Sequence, residues 1–316
     1  MWVLVIYELP HTDISILNFR TKLGILNIMF DTMKTGFRKF NLKYFLCLLL
    51  AVLCGISGYA NSPFTAHEEE VIEGIMAFRT SLSVMEFANA RAKVDEYRKR
   101  VLSAEECKTL SEQAQLVIDT FLVMETYNYI YEADPNDSRL KDLILPQMRK
   151  LEDFIKVHAE SEINEWLYTV AGDVISCCLR FLPKAEAMKK GLVIKDYYLK
   201  ALSIKSDCWY TLINTAQWFF QAPAIGGGSK DKARTYFEKA YAAAKTPSGK
   251  YYTSIMLSQS RYADDKKDEA DSLLSKARNI IPESKFVKKI ASINLIGHDY
   301  FYYVTHRDNI DKKLQK

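Results

Sequence analysis

The chain has 316 residues, 48% hydrophobic and 26% charged, with a formal net charge of +4, which is enough apolar material for one large domain or two small ones. Its 12 glycines and 8 prolines are too few for an all-β chain of many short strands, which needs a turn signal every roughly 8–12 residues. The basic excess sits in the first sixty residues, and the 37 bases and 36 acids of the remainder exclude the one-sided basic footprint that a nucleic-acid partner requires.

The first structured signal begins near Met33. Lys34, Arg38, Lys39 and Lys43 form a basic stretch, Tyr44 to Ile56 (YFLCLLLAVLCGI) is an unbroken apolar run, and Ser57-Gly58-Tyr59-Ala60 ends it with small residues. That order predicts a signal peptide over 33–60, cleaved after Ala60, and an exported, periplasmic protein. The run is shorter than the roughly 20 residues that span a bilayer, so membrane anchoring through 44–56 is the alternative. Lipidation of Cys54 is disfavoured by the bulky Leu53 before it. Residues 1–32 read as an over-extended start or a tail.

From Thr65 onward apolar residues recur at three and four, the helical period. The pattern predicts helices near 65–82, 84–101, 103–132, 137–158, 162–182, 185–204, 207–221, 229–245, 249–263, 266–280 and 284–304, followed by a polar tail over 306–316. Asp134-Pro135-Asn136-Asp137, Pro183 and Gly226-Gly227-Gly228-Ser229 mark boundaries between them. Short connections make consecutive helices antiparallel hairpins.

A repeat is visible in this series. Ala270, Leu274, Ala277 and Pro282 sit at offsets 0, 4, 7 and 12, with Ser258 on the preceding helix, and Ala233, Phe237 and Ala240 repeat the first three offsets after Ala216. Gly172, Tyr198 and Ala201 form a third, looser copy. Small residues at a crossing let helices approach while a larger one fills the groove between hairpins. The fold class expected is therefore all-α, stacked antiparallel helical hairpins over 159–305, with 61–158 a further helical region packed before them.

The segments GGGSKDKARTYFEKAYAAAK and KKDEADSLLSKARNIIP resemble the tetratricopeptide-repeat superfamily. The glycine run before a lysine-alanine-arginine helix is also similar to the T-component of TRAP transporters, exported helical-repeat proteins. That resemblance implies a periplasmic solute-binding or membrane transport partner and an apolar or small organic ligand. The broader one implies a protein-binding scaffold.

No catalytic, metal or cofactor constellation stands out. Position 71, where a second helical metal-binding histidine would follow His67, is Val71, and Gly226-Gly227-Gly228-Ser229-Lys230 lacks phosphate-loop spacing. Cys107, Cys177, Cys178 and Cys208 match no zinc pattern, and whether any pair forms a disulfide stays open. The aromatic concentration Trp209, Tyr210, Trp218, Phe219, Phe220, Tyr251 and Tyr252 reads mainly as core. A helix cannot bury three successive residues on one face, so part of Trp218-Phe219-Phe220 must face a neighbouring hairpin, a pocket or solvent. The loop 222–228 adds five residues beside them. Trp209, Trp218, Phe219, Phe220, Pro223, Gly226, Gly227, Gly228, Tyr251 and Tyr252 are accordingly the candidate rim of a binding surface.

Overall fold

The computed structural model describes residues 64–314. The readings of residues 1–32, of the signal peptide, of Cys54 and of the 44–56 anchor lie outside the described residues. Among the described residues every regular element is helical, and no helix is long and apolar enough to cross a membrane.

The N-terminal region holds α1 (Ala66–Leu82), α2 (Phe87–Ser103), the single turn α3 (Glu105–Lys108), α4 (Glu112–Ala133) and α5 (Arg139–Val157). Thr65 starts α1 with a reciprocal capping box to Glu68. The other oxygen of Glu68 accepts from the Ser111 backbone N–H (2.9 Å) and hydroxyl (2.6 Å). Ser111 in turn caps α4 by accepting from the Ala114 N–H. These contacts break the single helix expected over 103–132 and bring the starts of α1 and α4 together.

Three hairpins follow: α6 (Glu165–Cys178) with α7 (Lys184–Ile204), α8 (Trp209–Gln221) with α9 (Lys230–Ala243), and α10 (Pro247–Ala263) with α11 (Lys267–Ile280). Their burial separates two layers. Thirteen of the 14 residues of α6 and eleven of the 13 of α8 are buried, because these inner helices touch neighbours on all sides. The outer helices bury only a stripe: Ile194, Tyr198 and Ala201 on α7, Ala233, Phe237 and Ala240 on α9, and Ala270, Leu273, Leu274 and Ala277 on α11. The stripe is the one the sequence offsets mark, and the architecture is the all-α, tetratricopeptide-like hairpin stack expected. At Gly172 an added Cβ would come within 2.5 Å of the Tyr198 ring, so glycine there sets the approach of α7 to α6.

The C-terminal helix expected over 284–304 is instead two, α12 (Lys285–Leu295) and α13 (Tyr300–Thr305), and the expected polar tail contains α14 (Arg307–Leu314), which buries Ile310. Gly297, at φ +87°, takes the left-handed conformation that ends α12, and Asp299 caps α13 by accepting from the Tyr302 N–H at 2.8 Å. These last helices return to the beginning of the domain. The Lys285 N–H donates to the Ser83 carbonyl at 2.8 Å. Arg307 donates to the carbonyls of Tyr131 (3.2 Å) and Glu132 (2.7 Å), partnering carbonyls of the last turn of α4 that no helical N–H can reach.

Candidate binding cavity

Return of the C-terminal helices leaves a space of roughly 130 Å³ between α1, α4, α6, α10 and α12. A buried ion pair forms one wall: Arg79 Nε donates to Glu125 Oε1 at 2.5 Å, with the two side chains 2% and 3% exposed. The guanidinium also sits 5.7–5.8 Å from the ring centres of Phe121, Tyr210 and Tyr252, within cation–π range. Burial works against the charge of Arg79, but Glu125, with Tyr210 and Tyr252, more than offsets it and holds its pKa above the usual arginine value.

The remaining walls mix seven aromatic side chains with charged and small ones. Tyr127 and Tyr131 come from α4, Tyr251 and Tyr252 from α10, and Phe286 and Tyr300 from the returning segment. Tyr127 and Tyr131 stack on one another, with ring centres 6.1 Å apart and planes 9° apart. Lys289 and Glu132, 2.9 Å apart, close one side, and Arg307 joins the same carboxylate at 3.2 Å.

Arg180 follows α6 in a single 3₁₀ turn and also lines the cavity. Its guanidinium lies 5.2 Å from the Tyr131 ring centre and 5.3 Å from that of Phe181. No carboxylate among the described residues pairs with it, and its Nη1 is buried without a hydrogen-bond partner. The side-chain nitrogen of Asn128 and the hydroxyl of Ser83, on the same cavity, are likewise buried and unpartnered. A buried donor left unmade is costly, on the order of 1–3 kcal/mol, so three of them at one cavity mark a place where an acceptor from outside the chain, water or ligand, would be stabilising.

Cys177 borders the cavity, but burial, reinforced by Asp173, pushes its thiol up to about 12, so it is not a thiolate nucleophile near neutral pH. Cys107, Cys177, Cys178 and Cys208 are free thiols. One turn before Cys177, the buried Asp173 carboxyl accepts from Tyr198 (2.7 Å), Tyr210 (2.8 Å) and Asn214 (3.3 Å). Burial raises its pKa to about 7 against the opposing pull of the two tyrosine hydroxyls and Arg79. This network ties α6, α7 and α8 together behind the cavity wall. No group of three side chains suited to a metal ion occurs among the described residues.

The sequence-predicted rim divides into two places. Tyr251 and Tyr252 line the cavity, and Trp209 stacks on Tyr252 (6.3 Å, 9°) while packing against Gly249. Trp218, Phe219 and Phe220 lie at the opposite end of α8, roughly 13 Å along its axis from Trp209 at 1.5 Å per residue. Trp218 and Phe219 are buried, and Phe220 packs 4.2 Å from the Phe301 ring. The loop with Pro223, Gly226, Gly227 and Gly228 is a compact turn. Gly228 donates to the Pro223 carbonyl (3.1 Å), Ser229 donates to that of Phe219 (2.8 Å), and a Cβ at Gly228 would strike the Ala222 carbonyl. Ile225 at its tip is 89% exposed. The loop sits beside α7, where Trp218 Nε1 donates to the Gly191 carbonyl at 3.1 Å.

Arg79, Glu125, Asn128 and Arg180 come from three distant elements, and no local spacing in the sequence joins them. The one local signal was the Tyr127-Asn128-Tyr129-Ile130-Tyr131 run, which places three tyrosines within a turn and a half of helix.

No protein-family model matches the chain, and no curated protein matches it. Among solved structures it is similar to a thermophilic TPR protein of Thermus thermophilus, with a TM-score of 0.43 and 12% identity, over 65% of this chain and 99% of that one.

Proposed function

We propose that this is an exported, non-catalytic helical-repeat protein that binds a small organic ligand in the cavity between its N-terminal helices and its repeat stack. The observation that carries the reading is the cavity itself, with seven aromatic side chains in its walls and buried donors on Arg180, Asn128 and Ser83 that the chain leaves unpartnered. Mostly apolar, preformed cavities with a few convergent polar groups are where small ligands bind. At roughly 130 Å³ the space matches one benzene-sized ring, since an engineered cavity of about 150 Å³ takes benzene. Carriage of such a ligand for a periplasmic solute-binding or transport partner is the role this reading assigns. Native mass spectrometry of the protein from its host tests it. A small molecule retained under native conditions and lost on denaturation is expected, and its absence from a Cys177→Phe variant that fills the cavity. A protein that always flies ligand-free would contradict it.

A second reading, a protein-binding scaffold, is favoured by a different surface. Met188, Leu192 and Leu199 recur at helical spacing on the outer face of α7 and are 43%, 48% and 37% exposed. The loop carrying exposed Ile225 approaches the same helix, where a Cβ at Gly227 would lie 3.8 Å from Lys195 Nζ. A photo-crosslinker at position 192, followed by mass spectrometry, would capture a macromolecular partner on this face. Recovery of the uncrosslinked monomer alone would remove the reading.

A further inference from the structure

We infer that the ligand of this cavity is a small planar carboxylate of about benzoate size, with its carboxylate on Arg180 and its ring among the tyrosines. The inference rests on the cavity being a ligand site and adds the ligand's charge and shape.

The charge follows from pairing around the cavity. Arg79 is neutralised by Glu125, Lys289 by Glu132 and Lys285 by Glu86. Arg180 has no acid partner among the described residues, so the cavity carries one uncompensated cation in a partly desolvated place. A neutral occupant would leave that cation without a counter-charge. An anionic one supplies it, and a carboxylate matches the flat guanidinium fork with two parallel N–H···O bonds. Asn128, on α4, adds an unpartnered amide nitrogen to the lining of the same cavity. Arg180 already packs over the faces of Tyr131 and Phe181, which holds the plane of the fork fixed before the ligand arrives.

Size and shape follow from the walls. Tyr131, Tyr251, Tyr252, Phe286 and Tyr300 present ring surface around a space with room for about one ring. A flexible aliphatic acid would lose rotamer freedom on entering, whereas a planar acid loses little and gains offset or edge contacts with these rings. A phosphate monoester is too hydrated and too highly charged for one arginine beside two carboxylates.

The test is a titration of the protein by calorimetry with benzoate and with benzamide, its neutral isostere, in parallel with Arg180→Gln. Benzoate is expected to bind at least tenfold more tightly than benzamide. In Arg180→Gln that ratio should fall to about one, and Arg180→Lys should recover part of the preference. The benzoate–benzamide comparison is made on the unaltered chain, so it stands even if Arg180→Gln fails to fold. Equal affinity for the two compounds would overturn the carboxylate assignment while leaving the cavity as a site for neutral rings. No binding of either, together with a retained neutral molecule in native mass spectra, would overturn it too. A chain that binds nothing and retains nothing would remove both this inference and the site it rests on.

Discussion

Arg79 and Glu125, 46 residues apart in sequence, form an ion pair almost fully withdrawn from water, with Arg79 also facing the rings of Phe121, Tyr210 and Tyr252. Removing one partner of such a pair leaves a bare buried charge and costs about 3–5 kcal/mol, whereas replacing both with apolar residues of similar volume is often near neutral. Glu125→Leu is therefore expected to destabilise strongly in urea denaturation, and Arg79→Met with Glu125→Leu to recover most of the loss. A double variant as unstable as the single one would show that Arg79 acts through its aromatic contacts rather than through the pair.

Gly172→Ala should also destabilise. The added Cβ meets the buried Tyr198 ring at 2.5 Å, and that ring cannot swing away freely because its hydroxyl is bonded to Asp173. Overpacking of this kind costs about 1–3 kcal/mol, against a gain of about 1 kcal/mol for alanine over glycine within a helix. A lowered melting temperature is expected; a raised one would mean that α6 and α7 separate without penalty.

Asp173 gives stability a defined pH dependence. Burial lifts its pKa from 3.8 to about 7 in the folded chain, so the native state binds the proton more tightly than the unfolded one. Its contribution is complete below about pH 4, declines as pH rises toward 7, and is gone above that. Asp173→Asn, which keeps an acceptor for one of the two tyrosine hydroxyls and turns an NH2 donor toward the other, should remove this slope. The parent should gain stability relative to the variant as pH falls from 7 to 4; a constant difference over that window would mean that Asp173 is ionised throughout.

Export is tested at the N-terminus. The basic, apolar, small order from Lys34 to Ala60 predicts that protein isolated from its host begins at Asn61. An intact Met1 peptide on the isolated protein would contradict cleavage.

The loop 222–228 offers a test of the outer face. Ile225→Glu with Leu192→Glu should leave the melting temperature within about 2–4 °C, because exposed substitutions away from buried features seldom change stability by more than about 0.5 kcal/mol each. It should weaken any partner captured at position 192. Unchanged capture would make the exposed apolar residues of α7 and the loop incidental.

The sequence carried the repeat stack well because its outer helices bury one stripe each, and a stripe leaves a period. Ala233, Phe237 and Ala240, or Ala270, Leu274 and Ala277, are readable for that reason, and Gly172 with Tyr198 is readable because a close crossing demands a missing side chain. The breaks were harder. The one at Ser111 depends on Glu68, 43 residues earlier, whereas the one at Gly297 and Asp299 was locally signalled. The cavity was legible only in part. Tyr251 and Tyr252 belong to a local aromatic cluster, but Arg180, Asn128 and the Arg79–Glu125 pair meet only when the last helices return to α1 and α4, and no spacing encodes that return.

A crystal structure of the protein with its retained ligand, or with benzoate added at saturation, would decide where binding occurs. The expected result is density for a flat molecule between Arg180 and Tyr252, its acid group within about 3 Å of the guanidinium nitrogens. Bound ligand on the α7 face, or a cavity containing only water while calorimetry shows binding, would contradict the assignment.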